Sequence, residues 1–334
     1  DDKILAAGSF AFDASTFEYW GALLNGGTLV MATKAELMDT AKLKSIIRTQ
    51  KVTKMFFTTG WFNLLADTDV SVFETLSAVI VGGERFSAQH GKKVRKHYPD
   101  IHIVNGYGPT ENTTFSLAYL TNNSLSDEIP VGMPLNYRSA YILNKDQKQV
   151  PIGITGELYV GGAGLSDGYY KQQELTATSF ISHLFKENDI EKLYKTGDLV
   201  RWLPDGNIVF VGRADDQVKI RGFRIEPAEI TTVLLQSPMI QQAMVVARPD
   251  PTGVLQLIAY VVDSENAYDK DILLQWLETK LPGYMIPAHI MLLNELPLNA
   301  NGKVDRNALP DPENTVSGKI ENPRNEIENK LAEA

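Results

Sequence analysis

The stretch IHIVNGYGPTE, residues 101–111, decides how the fold is interpreted. Its first half is a run of β-branched and aromatic residues, which is typical of a buried strand. Its second half turns through two glycines and a proline and then presents a hydroxyl and a carboxylate, on Thr110 and Glu111. A plain turn does not need such a series of polar groups. A site for a polyanion with a metal ion would use them.

Two similar apolar runs precede this stretch, KMFFTT at 54–59 and LSAVIVGG at 76–83, with helical patterns between the runs. Near-continuous apolar strands separated by helices predict a parallel sheet in an α/β domain. Ligands of such sheets bind beyond the carboxyl ends of the strands. Gly82, Gly83 and residues 105–111 lie at these ends, so the polar groups stand where a ligand is expected.

The pattern changes in the last third of the chain. WLPDGNIVFVGR at 202–213 predicts a hairpin, and a helix that opens at Pro227, two strands and a further helix follow it. We therefore predict an α/β fold with a large N-terminal part of mostly parallel sheets and helices, then a small α+β C-terminal subdomain. The predicted boundaries are 1–213 for the large part, 214–309 for the small mobile subdomain, 310–323 for a linker and 324–334 for a new helix.

Composition excludes several classes of protein. The 334 residues carry a net charge of −9 without a long basic run, which argues against a nucleic-acid partner. The sequence has no cysteine, so disulfides and thiolate metal sites are excluded. It has no apolar run of membrane-spanning length and no signal pattern at its start, and we expect a cytoplasmic protein. Phosphate-loop and zinc-binding HExxH patterns are absent, and the five histidines are scattered.

Seven motifs occur in an order that resembles the core motifs of one family. They are FDAST, NGYGPTE, GELYVGGAGLSDGYY, YKTGD, GRADDQVKIRGFRIE, LPGYMIP and NGKVDR, and they extend over residues 12–306. Together they resemble the amino-acid adenylation domains of nonribosomal peptide synthetases, which belong to the adenylate-forming superfamily with acyl-CoA synthetases and luciferases. The tail at 324–334 resembles the first helix of the carrier domain that follows such modules.

The resemblance implies that a carboxylate attacks the α-phosphate of ATP and expels pyrophosphate, with Mg²⁺ bound by Glu111. Because two anions meet, cations and fixed dipoles must neutralise them. The implied catalytic residues are Lys303, Thr110 and Glu111. The implied ATP contacts are Gly83, Asn105, Tyr107, Thr110, Asp198, Arg213 and Lys303. The aminoacyl group would then pass to phosphopantetheine on the carrier domain, after the small subdomain rotates about a hinge at Asp215 and moves Lys303 out.

Substrate choice is implied by the amino-acid pocket, in which Asp13 would pair with the α-ammonium group. An unpaired buried charge costs roughly 3–5 kcal/mol, so an acid here selects α-amino acids. The implied lining consists of Asp13, Ala14, Phe17, Phe56, Ile80, Gly82, Gly106, Thr114, Phe115 and Lys303. Apart from Thr114, the residues that would meet the substrate side chain are apolar. Gly82 and Gly106 leave room for it. We expect valine as the substrate, with isoleucine next and leucine third.

Two departures from the family pattern qualify these expectations. The phosphate-gripping loop that should precede FDAST is not in the sequence, so we expect the C-terminal part of a longer module that is inactive alone. Ser166 and Asp167 stand where the family has a small residue and arginine.

The alternative functions are a coenzyme A ligase or luciferase-like enzyme, and a non-catalytic remnant. Expected partners are the amino acid, the carrier domain and a condensation domain of the same synthetase, with neither nucleic acid nor a membrane.

Overall fold

A computed structural model describes residues 2–121, 128–186, 189–264, 268–298 and 304–312. The chain divides into two compact units, Asp1–Arg224 and Ile225–Ala334. Among the described helices, none combines the length and the apolar character that crossing a bilayer would require.

The first sheet and its helices occupy the N-terminal part of the first unit. Its strands are β1 (Lys3–Ala6), β2 (Thr28–Met31), β3 (Lys54–Thr58), β4 (Ala78–Gly82), β5 (His102–Tyr107), β6 (Leu117–Leu120) and β7 (Met133–Pro134). The helices between them are α1 (Ala14–Leu23), α2 (Lys34–Leu37), α3 (Thr40–Gln50), α4 (Thr59–Thr68) and α5 (Ala88–His97). In the described ranges, the strands follow the order β2-β1-β3-β4-β5-β6-β7. The pairs from β2 to β5 are parallel, and β6 and β7 add antiparallel pairs.

The core of this sheet follows from the apolar runs of the sequence. Phe57, Val79 and Ile103, on three neighbouring strands, are fully buried. Leu43 and Ile47 of α3 pack into the same cluster at helical i, i+4 spacing. Helix α3 begins where the carboxylate of Asp39 accepts hydrogen bonds from two backbone N–H groups, the usual role of an N-cap. The α/β fold that the sequence predicts is confirmed.

A second sheet follows in the first unit, and its pairs are antiparallel. It contains β8 (Arg138–Leu143), β9 (Gly156–Gly162), β10 (Phe180–Lys186), β11 (Asp189–Trp202) and β12 (Ile208–Arg213), with α6 (Gln173–Ser179) before β10. The path is β10-β11-β9-β8, and β12 pairs with β11 through the hairpin that the sequence predicts. A short turn at 203–207 joins β11 to β12 and reverses the chain, so this pair is antiparallel.

A two-stranded hairpin of β13 (Val218–Ile220) and β14 (Phe223–Ile225) follows, and all of it except Ile225 belongs to the first unit. The units divide between Arg224 and Ile225, beyond the boundary that the sequence places near residue 213. Within the first unit, the Gly222 N–H of this hairpin donates to Glu84 at 2.5 Å. The mobile subdomain starting at residue 214 stays a prediction.

The second unit is the predicted small α+β region. Its elements are α7 (Pro227–Leu235), β15 (Ile240–Pro249), β16 (Leu255–Asp263), α8 (Lys270–Lys280) and β17 (His289–Leu292). Strand β16 pairs antiparallel with β15 and parallel with β17. The first residue of the predicted linker is anchored here, since the carbonyl of Pro310 accepts a hydrogen bond of 2.6 Å from the Tyr260 hydroxyl. Lys303, most of the linker and the predicted carrier helix lie outside the described residues.

Candidate active site

Three of the predicted site residues of the first unit come after parallel strands of the first sheet. Asp13 follows β1, Gly83 follows β4 and Glu111 follows β5. Glu111 lies in a short 3-10 turn, Thr110–Asn112, which begins directly after Pro109. This is the edge at which parallel sheets place their ligands.

Glu111 is buried, with 8% of its surface exposed, and three side chains donate to its carboxylate. Its Oε1 accepts from the Tyr169 hydroxyl at 2.5 Å and from the Tyr194 hydroxyl at 2.9 Å. Its Oε2 accepts from the Arg224 guanidinium at 2.7 Å. Burial alone would raise the pKa of Glu111, but the charge of Arg224 and the two hydroxyls outweigh it and hold the pKa below its usual range.

Asp198 and Arg213, two of the predicted nucleotide contacts, form an ion pair across strands β11 and β12. The Arg213 Nη1 lies 2.6 Å from Oδ1 of Asp198, and the Tyr107 hydroxyl donates to Oδ2 of the same carboxylate. Burial and the negative charge of Asp198 raise the pKa of Tyr107. Each Asp198 oxygen has two lone pairs, so both keep an acceptor position that suits a vicinal diol.

Asn105 and Tyr107, which are predicted to face the base, each contact another part of the chain. The Asn105 amide donates to the carbonyl of Pro130 at 2.7 Å. The Lys219 ammonium lies 5.8 Å from the centre of the Tyr107 ring, on the hairpin that sequence reasoning did not connect with this tyrosine. Burial lowers the pKa of Lys219, and the charge of Asp198 offsets part of that effect. Thr110 is exposed at the entrance to the 3-10 turn.

Asp13 and Thr114 are joined although 101 positions separate them in the chain. The Thr114 N–H donates to Oδ2 of Asp13 at 3.1 Å, and the Thr114 hydroxyl donates to the Asp13 carbonyl at 2.7 Å. Within the described residues, Oδ1 of Asp13 accepts no hydrogen bond, so this oxygen is open to a cationic ligand. The contact fixes one carboxylate oxygen and thereby the direction of the other.

Thr113 and Thr114 adopt the left-handed backbone region, with φ of 42° and 59°. A β-branched side chain rarely takes this conformation, and each such residue costs about 1–3 kcal/mol. Asp13 holds Thr114 in place, and the Thr113 hydroxyl donates to the carbonyl of Gly164 at 2.7 Å. The turn is therefore held by contacts from distant parts of the chain.

Three phenylalanines of the predicted pocket form one aromatic cluster. The Phe115 ring lies 6.0 Å from that of Phe17 and 5.7 Å from that of Phe56, measured between ring centres. Phe115 directly follows Thr114, the residue that contacts Asp13. The contacts link Asp13 to Thr114 and Phe115 to Phe17 and Phe56, and their joint role as an amino-acid pocket stays a prediction.

Gly82 and Gly106, which the sequence analysis expects to leave room for the substrate, are closely packed. A Cβ at Gly106 would lie 2.9 Å from the Phe115 ring and 3.0 Å from the Ile80 side chain, so these side chains already fill the space. A Cβ at Gly82 would lie 2.6 Å from the carbonyl oxygen of Gly106. Both glycines permit close packing within the sheet and its aromatic cluster, and neither leaves an open volume.

We expect Gly106→Ala to change the preference among amino-acid substrates toward smaller side chains. The added methyl group must push Phe115 or Ile80 outward, and a methylene-sized clash in an apolar pocket is worth about 1–3 kcal/mol. Specificity constants for alanine, valine, isoleucine and leucine, measured on the synthetase module that contains this chain, test the shift. Gly60→Ala is the matched control, because a Cβ there meets nothing within 4 Å. An unchanged ranking in Gly106→Ala would remove Gly106 and its neighbours from the pocket.

Glu18 is a buried acid near the site that sequence reasoning missed. It lies in α1, is 0% exposed, and accepts hydrogen bonds of 3.0 and 3.1 Å from the backbone N–H groups of Ala7 and Gly8. Burial raises the pKa of Glu18, and these hydrogen bonds oppose that effect. The contacts fix the start of the loop that carries Asp13. A carboxylate within the otherwise apolar run STFEYWGALL was the available signal.

The predicted hinge residue and the two residues that depart from the family pattern all lie in the described part of the chain. Both oxygens of Asp215, the predicted hinge, pair with the Arg213 guanidinium at 2.6 Å. Asp167 is exposed, and its carbonyl accepts from Lys192 at 2.9 Å, so the departure from the family pattern lies on the surface. Ser166 is linked to the site through its N–H, which donates to the Glu111 carbonyl at 2.9 Å. Lys303 lies outside the described residues.

Comparison with known proteins gives two family matches. Residues 1–170 match the family described as AMP-binding enzyme, and residues 229–303 match the AMP-binding enzyme C-terminal domain. Tyrocidine synthase 3 of Brevibacillus parabrevis is 45% identical over 332 residues, which are 99% of this chain and 5% of that protein. Bacitracin synthase 1 of Bacillus licheniformis is 46% identical over 337 residues, which are 99% of this chain and 6% of that protein. The chain thus spans a small fraction of these relatives.

Solved structures give the same assignment. The holo form of PA1221, described as an NRPS protein containing adenylation and PCP domains, is 31% identical with a TM-score of 0.82. That match covers 92% of this chain and 53% of the other. A four-domain nonribosomal peptide synthetase, holo-AB3403, is 33% identical with a TM-score of 0.57 and covers 99% of this chain and 25% of the other. The chain therefore belongs to the family of AMP-binding enzymes, as an adenylation domain of the nonribosomal peptide synthetase type.

Proposed function

We propose that this chain, within a longer synthetase module, activates a branched aliphatic amino acid with ATP and passes it to a phosphopantetheine carrier domain. The observation that supports the proposal is the contact of Asp13 with Thr114, which directly precedes Phe115, together with the ring contacts of Phe115 with Phe17 and Phe56. A carboxylate suits an α-ammonium group, and the aromatic surface suits an apolar side chain. Valine is the proposed substrate, ahead of isoleucine and leucine.

The nucleotide would be held by residues on the same side of the sheet. Asp198 has the acceptor positions for both ribose hydroxyls, and Arg213 orients its carboxylate. Asn105, Tyr107 and Gly83 would border the base, and Thr110 would donate to phosphate. Lys303 is proposed to stabilise the negative charge that develops between carboxylate and phosphate. A divalent cation, where bound, would neutralise phosphate charge, with Glu111 as its proposed ligand.

The proposed setting is the cytoplasm, where ATP is available, and the proposed partners are a carrier domain and a condensation domain of the same synthetase. The lengths of the relatives support further domains as partners, since this chain corresponds to 5% of tyrocidine synthase 3 and 6% of bacitracin synthase 1. A coenzyme A ligase is the second candidate, and the open oxygen of Asp13 disfavours it, because a fatty or aryl acid would leave that carboxylate unpaired.

Amino-acid-dependent exchange of pyrophosphate into ATP by the whole module tests the proposal. Valine should support the fastest exchange among the proteinogenic amino acids, and leucine should be slower by a factor of about ten or more, since one methylene is worth about 1–3 kcal/mol. Preference for a charged amino acid would contradict the pocket assignment. Exchange with fatty or aryl acids in place of amino acids would favour the coenzyme A ligase, and no exchange with any acid would favour a non-catalytic remnant.

A further inference from the structure

Within the described chain, Glu18 is a fully buried carboxylate that no cation neutralises. Removing an ionised carboxylate from water is expensive unless hydrogen bonds replace the lost water. Here the replacement comes from the backbone alone. The Ala7 N–H donates to Oε1 at 3.0 Å, and the Gly8 N–H donates to Oε1 at 3.1 Å and to Oε2 at 3.0 Å. Both oxygens are therefore committed to the chain directly after β1.

These hydrogen bonds lie at one end of the loop whose other end is Asp13. Residues 7–13 connect β1 to α1, and residues 9–12 in the middle of this loop are exposed. The backbone hydrogen bond of the middle is local, from the Phe12 N–H to the Ser9 carbonyl at 2.9 Å. Side chains from outside the loop thus fix its two ends, Glu18 at the first and Thr114 at Asp13.

Glu18 and Asp13 are also connected through α1. Asp13 is the N-cap residue of this helix and precedes Glu18 by five positions, which corresponds to about 7.5 Å of helix rise. A helix positions its side chains more precisely than a loop does. The hydrogen bonds of Glu18 therefore fix the first turns of α1, and Asp13 with them, relative to the end of β1.

The Asp13 carboxylate is available to a ligand because it does not cap its own helix. An aspartate at an N-cap usually accepts from the backbone N–H groups that follow it, but Asp13 makes no such bond. The carbonyl of Phe12 accepts instead, from the N–H of Ser15 at 3.2 Å and from its hydroxyl at 2.8 Å. The direction of the carboxylate thus depends on Thr114 and on where α1 begins.

We propose that Glu18 is a positioning residue for the α-ammonium group of the substrate, because it fixes α1 against the end of β1 and thereby holds the open oxygen of Asp13 in place. The inference rests on the proposed function, which assigns the ammonium group to Asp13. Glu18 acts through Asp13 and not on the substrate directly, since backbone N–H groups occupy both of its oxygens. It should therefore matter for acids that carry an ammonium group and not for acids that lack one.

Glu18→Gln in the whole module tests the inference at nearly constant side-chain volume. Glutamine has one acceptor oxygen, so an NH₂ group replaces one of the two oxygens that face the Gly8 N–H. Since a displacement of about 1 Å can cost a factor of about 10², we expect kcat/KM for valine to fall about tenfold or more and kcat/KM for 3-methylbutanoate, the desamino analogue, to change less than about threefold.

Gly8→Ala examines the same contact from the backbone side and keeps the charge of Glu18. A Cβ at Gly8 would lie 3.1 Å from Oε2 of Glu18, so it must push this carboxylate aside. The ratio of kcat/KM for valine to that for 3-methylbutanoate should fall here as well. This variant decides the question if Glu18→Gln does not fold, and an unchanged ratio would then overturn the inference.

Combination with Asp13→Asn separates positioning from general support of the fold. If Glu18 acts through Asp13, Glu18→Gln should not lower the valine to 3-methylbutanoate ratio further in the Asp13→Asn background, whereas independent effects would add. Asp39→Asn is the matched control, because the Asp39 carboxylate also accepts from two backbone N–H groups, at the start of α3. It should leave the ratio unchanged.

The outcomes distinguish this inference from the proposed function. An equal fall in kcat/KM for both acids in Glu18→Gln, or a further fall of the ratio in the double variant, would give Glu18 a structural role only. Either result would leave the proposed function standing if the wild type prefers valine to 3-methylbutanoate. A wild type that uses both acids equally would contradict the proposed function, and this inference with it.

Discussion

Exchange of Lys303 for alanine is expected to lower the rate of valine-dependent pyrophosphate exchange about a hundred- to a thousandfold. The proposed role of this ammonium group is to stabilise the charge that develops as the carboxylate attacks the phosphate. Loss of one preorganised donor to such a charge typically costs a factor of about 10²–10³. The measurement is isotope exchange on the whole module, with transfer of valine from supplied valyl-adenylate to the carrier measured in parallel.

The two half-reactions should respond differently to this substitution. Because Lys303 is proposed to act only in adenylation, thioester formation from the supplied adenylate should largely survive. Lys270→Ala removes the same charge from an exposed position at the start of α8 and serves as the control. Equal loss in both half-reactions, or an effect of Lys270→Ala of similar size, would refute the proposed role.

The second large effect is expected from Asp13→Asn. The asparagine oxygen can still accept from the Thr114 N–H, so the turn is preserved while the negative charge is removed. An α-ammonium group left without its partner costs about 3 kcal/mol or more, which is a factor of a hundred or more in kcat/KM for valine. The module should therefore lose most of its discrimination between valine and its desamino analogue, 3-methylbutanoate.

Both substrates must be measured to interpret the Asp13 variant. A parallel fall in kcat/KM for valine and for 3-methylbutanoate would indicate damage to the site as a whole, and it would contradict a specific role in binding the ammonium group. Asp100→Asn, an exposed acid before β5, controls for the change in net charge.

The sequence predicts the first sheet well because each of its central strands is a short apolar run between helical patterns. KMFFTT, LSAVIVGG and IHIVNGYG correspond to β3, β4 and β5 within a few residues. The second sheet is harder to predict. Its long strand β11 has a register shift between Lys195 and Leu199, and the pattern of alternating polarity is interrupted there.

Local sequence patterns do not predict which side chains form hydrogen bonds with the site residues. Glu111 receives hydrogen bonds from residues 58, 83 and 113 positions away in the chain. Their motifs were recognised, but motif order carries no information about which side chains touch. The same holds for Gly106, where sequence indicates only a missing side chain and the structure shows that Phe115 and Ile80 fill the space.

The left-handed turn at Thr113 and Thr114 limits how this domain can be redesigned for new substrates. Position 114 belongs to the proposed pocket and is an obvious target, but most replacements would keep the strained backbone while losing the hydroxyl that bonds to Asp13. Glycine or asparagine would tolerate the conformation and relax the strain. Libraries for altered selectivity should therefore vary Phe17, Phe56 and Ile80 first and treat Thr114 and Asp13 as one inseparable pair.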